Sequence, residues 1–92
     1  MKIIWLDLAA KDLEALFDYV ARDRPESAGK EVERIIAAVG RLADYPGSGR
    51  PGRVPDTREL VVSPYVVAYR VKNGKIQILR VLHSARNWPD RL

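Results

Sequence analysis

Cysteine is absent from this chain, and histidine occurs once, at position 83. Without cysteine there is no disulfide and no thiolate chemistry. A lone histidine does not make a structural zinc site, nor the pair of histidines with which many ribonucleases transfer protons. The acidic residues do not cluster as metal ligands would, so neither a metal nor a cofactor is expected. Long apolar runs are also missing. The opening Met1-Lys2-Ile3-Ile4-Trp5-Leu6 is cut by Asp7, too soon for the core of a signal peptide, and nothing approaches the ~20 apolar residues that span a bilayer. A cytoplasmic protein with no membrane association is the expectation. Pro46–Gly52 lacks the Lys-Ser/Thr ending and the following helix of a phosphate loop. Ser48, Ser63 and Ser84 stand in no nucleophile-elbow context.

What is present fits one compact domain over residues 1–92. Apolar residues make up 47% of the chain, which excludes a disordered one. A core of this size is thin, so a partner would add stability. The net charge of +4 is unevenly spread. Residues 1–23 carry three basic against five acidic groups, a net of −2, and residues 24–45 balance. Residues 46–92 carry nine basic groups against Asp56, Glu59 and Asp90, a net of +6. That asymmetry points to an anionic partner for the C-terminal half, either nucleic acid or an acidic protein segment; a solvated basic surface is the plainer account of the same charges.

The apolar spacing predicts strands near 2–6, 57–63, 65–72 and 75–83 and helices near 8–23 and 26–45, with Asp7 capping the first helix. Leu13, Leu16, Phe17 and Val20 recur on one face of that helix, with Lys11, Asp12, Asp18 and Arg22 opposite. Pro25 opens the second helix, whose stripe is Val32, Ile35, Ile36, Val39, Leu42 and Ala43. Two such helices joined by so short a break form an antiparallel hairpin. Residues 46–56, rich in glycine and proline, read as a surface loop and not a strand. Asn73-Gly74 marks a two-residue hairpin loop.

Counting outward from that loop sets Val71 against Ile76, Tyr69 against Ile78, Val67 against Arg80 and Val66 against Val81. Tyr65, Val67, Tyr69, Val71, Ile76, Ile78 and Leu82 then face the helices, and Arg80 must lie at the rim. Val66, Ala68, Arg70, Gln77, Leu79, Val81 and His83 face the other way. The expected class is α+β, β-α-α-β-β-β, with the two N-terminal amphipathic helices on one face of a small, mainly antiparallel sheet. On the second face Val66, Ala68, Leu79 and Val81 would form an exposed apolar patch rimmed by basic residues, a place for a partner segment. Near the C-terminus His83 titrates near neutrality and Arg86 suits a phosphate. Trp88 suits a base or a partner's pocket, although closing a small core is the simpler role for it.

Ile76-Gln-Ile-Leu-Arg-Val-Leu-His83-Ser-Ala-Arg86 resembles the ending of RelE/ParE toxins of bacterial type II toxin–antitoxin systems. Leu42-Ala-Asp-Tyr-Pro46, Gly49-Arg50, Gly52-Arg53 and Thr57-Arg58-Glu59-Leu60 through Tyr65 to Val71 agree with it in order and spacing, so the resemblance covers nearly the whole chain. It implies a growth inhibitor neutralised by a cognate antitoxin. RelE-like members cleave messenger RNA in the ribosome, which here would make His83 the acid or base and Arg86 the stabiliser of phosphate charge. ParE-like members inhibit DNA gyrase and are not enzymes. Cleaving members place an arginine where this chain has Val66, and the C-terminal tyrosine has no match, Trp88 and Asp90 lying near its place. These departures favour the ParE-like reading, with Arg58, Arg70, Arg86 and Trp88 as candidate contacts to the target. A partner-binding module without a target of its own is the third possibility.

Overall fold

In the computed structural model, which describes residues 1–92, the elements are β1 (Lys2–Trp5), α1 (Asp7–Asp23), α2 (Pro25–Gly40), a 3-10 turn (Arg41–Ala43), β2 (Arg50–Pro51), β3 (Arg58–Val62), β4 (Tyr65–Lys72) and β5 (Lys75–His83). The five strands form one sheet in the order β1-β5-β4-β3-β2. β1 runs parallel to β5, and the other pairs are antiparallel. This is the expected α+β architecture, two helices over one face of a mainly antiparallel sheet. No helix is long and apolar enough to cross a membrane.

The helices sit slightly rotated from the expected stripes. α1 buries Ala9, Leu16 and Val20, with Leu13 half-buried beside them, whereas Phe17 is 43% exposed. α2 buries Ala28, Ile35, Ala38 and Val39, whereas Ile36 is 48% exposed. The reason is the alanines. Ala9 and Ala28 are fully buried in the core, so the buried faces are centred nearer to them and Phe17 and Ile36 fall outside. Asp7 does not cap α1; the flanking residue is Leu6, and no side chain closes that end. Asp7 lies inside the first turn, where its charge favours the helix dipole. α2 ends at Gly40, earlier than expected, and tightens into the 3-10 turn that buries Leu42.

The loop after α2 contains a strand that its composition hides. Arg50 and Pro51 pair with Glu59 and Arg58, forming a two-residue edge, one of the few sheet positions proline tolerates. Gly49 is required there, because a Cβ would lie 2.6 Å from the Tyr69 hydroxyl oxygen.

The β4–β5 loop follows the count. Asn73 and Gly74 both have positive φ, 53° and 71°, as a two-residue hairpin loop of this kind demands. Val71 pairs with Ile76 and Tyr69 with Ile78. The register then slips between Tyr69 and Ala68, where β5 contains one extra residue. Ala68, Val67, Val66 and Tyr65 therefore meet Arg80, Val81, Leu82 and His83, not the residues counted for them. Such a bulge exchanges the faces of everything beyond it. Val81 joins the helix-side core, and His83 turns toward Tyr65 instead of sharing a face with Val66. Leu82, expected under the helices, is buried outside that core.

The expected apolar patch is thus neither on one face nor exposed: Val66, Ala68, Leu79 and Val81 are all buried. Val81 is covered by the helix-side core, and Leu79 lies close to the stretch after β5. Leu92 borders a cleft with Ile4 and Leu79. Trp88 is half-buried, with the Arg53 guanidinium 4.1 Å from its ring centre, close enough for a cation–π contact.

Candidate functional site

The slip in β5 builds the site. Because it directs Val81 and His83 to the helix side, the ends of β4 and β5 and the flank of α1 enclose an open cleft of about 520 Å³. α1 supplies Asp12, Leu16 and Tyr19; the sheet supplies Tyr65 and Val81; His83 and Arg86 stand at the mouth. The sequence expectation placed His83 and Arg86 near each other, and the structure brings them to one cleft. It did not find Asp12, Tyr19 or Tyr65. Asp12 had been set on the solvent face of α1, and Tyr19 carries no signal beyond lying off the apolar stripe.

Several polar groups of the cleft are held by hydrogen bonds within the protein. The Asp12 carboxylate accepts from Arg80 Nε at 2.8 Å, Arg80 Nη2 at 3.1 Å and the Val81 N–H at 2.9 Å. The hydrogen bond to Asp12 raises the pKa of the Arg80 guanidinium. His83 packs its ring edge to face with Tyr65, the centroids 5.7 Å apart. Its Nδ1 accepts the Ala85 N–H at 3.1 Å. Burial, with the Glu31 carboxylate adding to it, raises the Tyr65 hydroxyl above its usual value of 10.0. The cleft therefore offers hydrogen-bond donors, an apolar wall and one guanidinium, Arg86, for which the protein provides no partner. It is suited to an apolar group carrying an anionic neighbour. Nowhere do three or more His, Asp or Glu side chains gather as metal ligands would.

The other candidate arginines, Arg58 and Arg70, make hydrogen bonds within the fold. Arg58 donates to the Gly49 carbonyl at 2.7 Å and Arg70 to Gln77 Oε1 at 2.6 Å. Arg50 and Arg53 converge on Glu59, the one buried charged residue, 3% exposed. The Arg53 N–H also donates to it at 2.8 Å. Burial alone would raise the pKa of Glu59, but the Arg53 N–H and the two guanidiniums outweigh it and hold it below the usual 4.5. A depressed carboxylate stabilises the fold fully above its unfolded pKa, and that contribution disappears as pH falls through the lower folded value. Glu59→Gln should therefore lower the urea midpoint at neutral pH, and the gap to wild type should shrink at about pH 3. An equal gap at both pH values would show that ionisation of Glu59 contributes nothing.

Residues 3–88 match the family described as "ParE toxin of type II toxin-antitoxin system, parDE". The chain is 42% identical to Y4kP of Sinorhizobium fredii over 93 residues, covering 99% of this chain and 96% of the relative. It is 35% identical to toxin RelE2 of Caulobacter vibrioides over 85 residues, covering 92% and 97%. Among solved structures, a chain of the chromosomal ParDE toxin–antitoxin system from P. aeruginosa superposes with a TM-score of 0.83 at 38% identity, covering 90% of this chain and 95% of that one.

Proposed function

This chain belongs to the ParE toxin family of type II toxin–antitoxin systems, and from that premise we propose that it arrests growth by binding a protein target, DNA gyrase, in the cytoplasm, and that a cognate antitoxin silences it by filling the α1–β5 cleft. The observation that carries the reading is the state of the polar groups in that cleft. Cutting RNA requires a base free to take a proton and cations free to hold phosphate. Here Asp12 accepts from Arg80 and the Val81 N–H, His83 Nδ1 accepts the Ala85 N–H, and burial raises the Tyr65 pKa. Arg50, Arg53, Arg58, Arg70 and Arg80 are bound within the protein, so only Arg86 is left at the cleft. A binding surface needs no base. An antitoxin segment with a bulky apolar side chain between Tyr19 and Tyr65, and a carboxylate on Arg86, fits this donor set.

The rival is a ribosome-dependent ribonuclease. His83 and Arg86 at one mouth favour it, as does the name of the Caulobacter relative. One experiment separates the two. Purified protein should inhibit supercoiling by gyrase, and His83→Gln should inhibit within about twofold of wild type. A ribonuclease would cut messenger RNA on ribosomes and lose ~10²–10⁴-fold of that rate in the same variant. Cleavage with no effect on gyrase would overturn the gyrase reading.

A further inference from the structure

α1 stands between two grooves of opposite charge. On its sheet side is the cleft with Arg86. On its α2 side Leu13, Phe17 and Val32 line a second groove of about 420 Å³, flanked by Glu14 and Asp18. Phe17 is 43% exposed, and Ile36, one turn beyond Val32 on α2, is 48% exposed. Neither Glu14 nor Asp18 takes part in an ion pair within the protein. Two large apolar side chains beside two unpaired carboxylates suit an apolar segment that carries positive charge.

We propose that this outer groove is a second seat for the same antitoxin, taking a short apolar segment flanked by lysine or arginine, so that the antitoxin straddles α1 and grips it from both sides. The proposal rests on the reading that an antitoxin fills the Arg86 cleft. The crossing is short. A helix is ~10–12 Å wide with its side chains, so about four extended residues at ~3.4 Å each carry a chain over it. The charges also set the direction. An acidic segment is drawn to Arg86 and repelled by Glu14 and Asp18, and a basic segment the reverse, so the two cannot exchange seats. A second copy of this chain is the poorer occupant. A two-fold contact through the groove would press Glu14 and Asp18 of both copies into one small patch.

The test uses the full chain and, as probe, the purified product of whichever gene adjoins its own. Binding is measured for wild type, Phe17→Ser, Asp18→Lys and Arg86→Glu, with Glu14→Lys as a second charge variant if Asp18→Lys does not fold. All four positions are exposed, and circular dichroism checks each fold. Each substitution should weaken binding about tenfold or more. The Asp18→Lys loss should shrink at about 0.5 M salt, where charges on the surface are screened. Weakening by Arg86→Glu alone, with Phe17→Ser and Asp18→Lys within about twofold of wild type, overturns the second seat and leaves the cleft reading in place. A dimer of the chain alone that Phe17→Ser dissolves would assign the groove to a second copy and overturn it too. No binding by the wild-type chain overturns both the antitoxin reading and the second seat.

Discussion

Tyr69→Ala is expected to cost about 4 kcal/mol, a large share of the ~5–15 kcal/mol that holds a small domain folded. Tyr69 is fully buried, with its ring in the helix-side core opposite Ile78. Its hydroxyl crosses to the glycine-rich loop, donating to the Pro46 carbonyl at 2.7 Å and accepting the Gly49 N–H at 2.9 Å. Truncation thus opens a cavity and releases the loop in one step. Tyr69→Phe separates the two effects. It keeps the ring and leaves two backbone groups without their partner, a cost of about 1–3 kcal/mol. Urea unfolding should rank wild type above Tyr69→Phe and that well above Tyr69→Ala. Hydrogen exchange at Gly49 should speed up already in the phenylalanine variant. A Tyr69→Ala loss under about 1 kcal/mol would mean that the core closes without this ring.

The second large effect comes from the ion pair behind the cleft. Asp12 and Arg80 are 13% and 15% exposed. Removing one member of a fully buried pair costs about 3–5 kcal/mol, and the residual exposure here brings the figure to about 2–3. Asp12→Ala also leaves the Val81 N–H without its acceptor, at the point where β1 has ended and β5 keeps a strand neighbour, β4, on one side only. Replacing both members by apolar residues of similar volume should recover most of the loss, because the stranded guanidinium is then gone. Asp12→Leu with Arg80→Met is that variant. If the double variant is as unstable as Asp12→Ala, the pair is not what joins α1 to β5.

The hairpin around Asn73-Gly74 was legible because two adjacent residues tolerating positive φ impose one loop length, and loop length imposes register. It stopped being legible four residues later. Nothing in Ile78-Leu79-Arg80-Val81 distinguishes a regular strand from one with an extra residue, since the apolar alternation reads equally well on either side of the slip. That ambiguity alone sent Val81 and His83 to the wrong face and produced an apolar patch that the folded chain keeps buried. Arg50-Pro51 was missed for a different reason: an edge strand of two residues has no periodicity to detect. The buried role of Glu59 depends on two arginines that the loop folds back over it, which spacing in the chain does not reveal. Asp12 illustrates the limit of helical faces, because a residue near the border of the apolar stripe can still reach a neighbouring strand. His83 and Arg86, three residues apart after the last strand, could hardly be separated by folding, and they were found together.

β1 enters the sheet only through β5, with Lys2 opposite Lys75 and Trp5 opposite Ile78. Its sole strand neighbour is the last strand to be synthesised. While the chain grows, Ile3 and Trp5 have nothing to pair with, and the two helices carry their apolar faces uncovered. Contacts this distant in sequence close slowly, because a long loop must be ordered before they form. The cleft shares this constraint, since Tyr19 comes from the first helix and His83 and Arg86 follow the final strand. A chain whose synthesis has not reached Arg86 therefore has no finished cleft. On the reading that an antitoxin fills this cleft, it would bind finished chains and pass over incomplete ones.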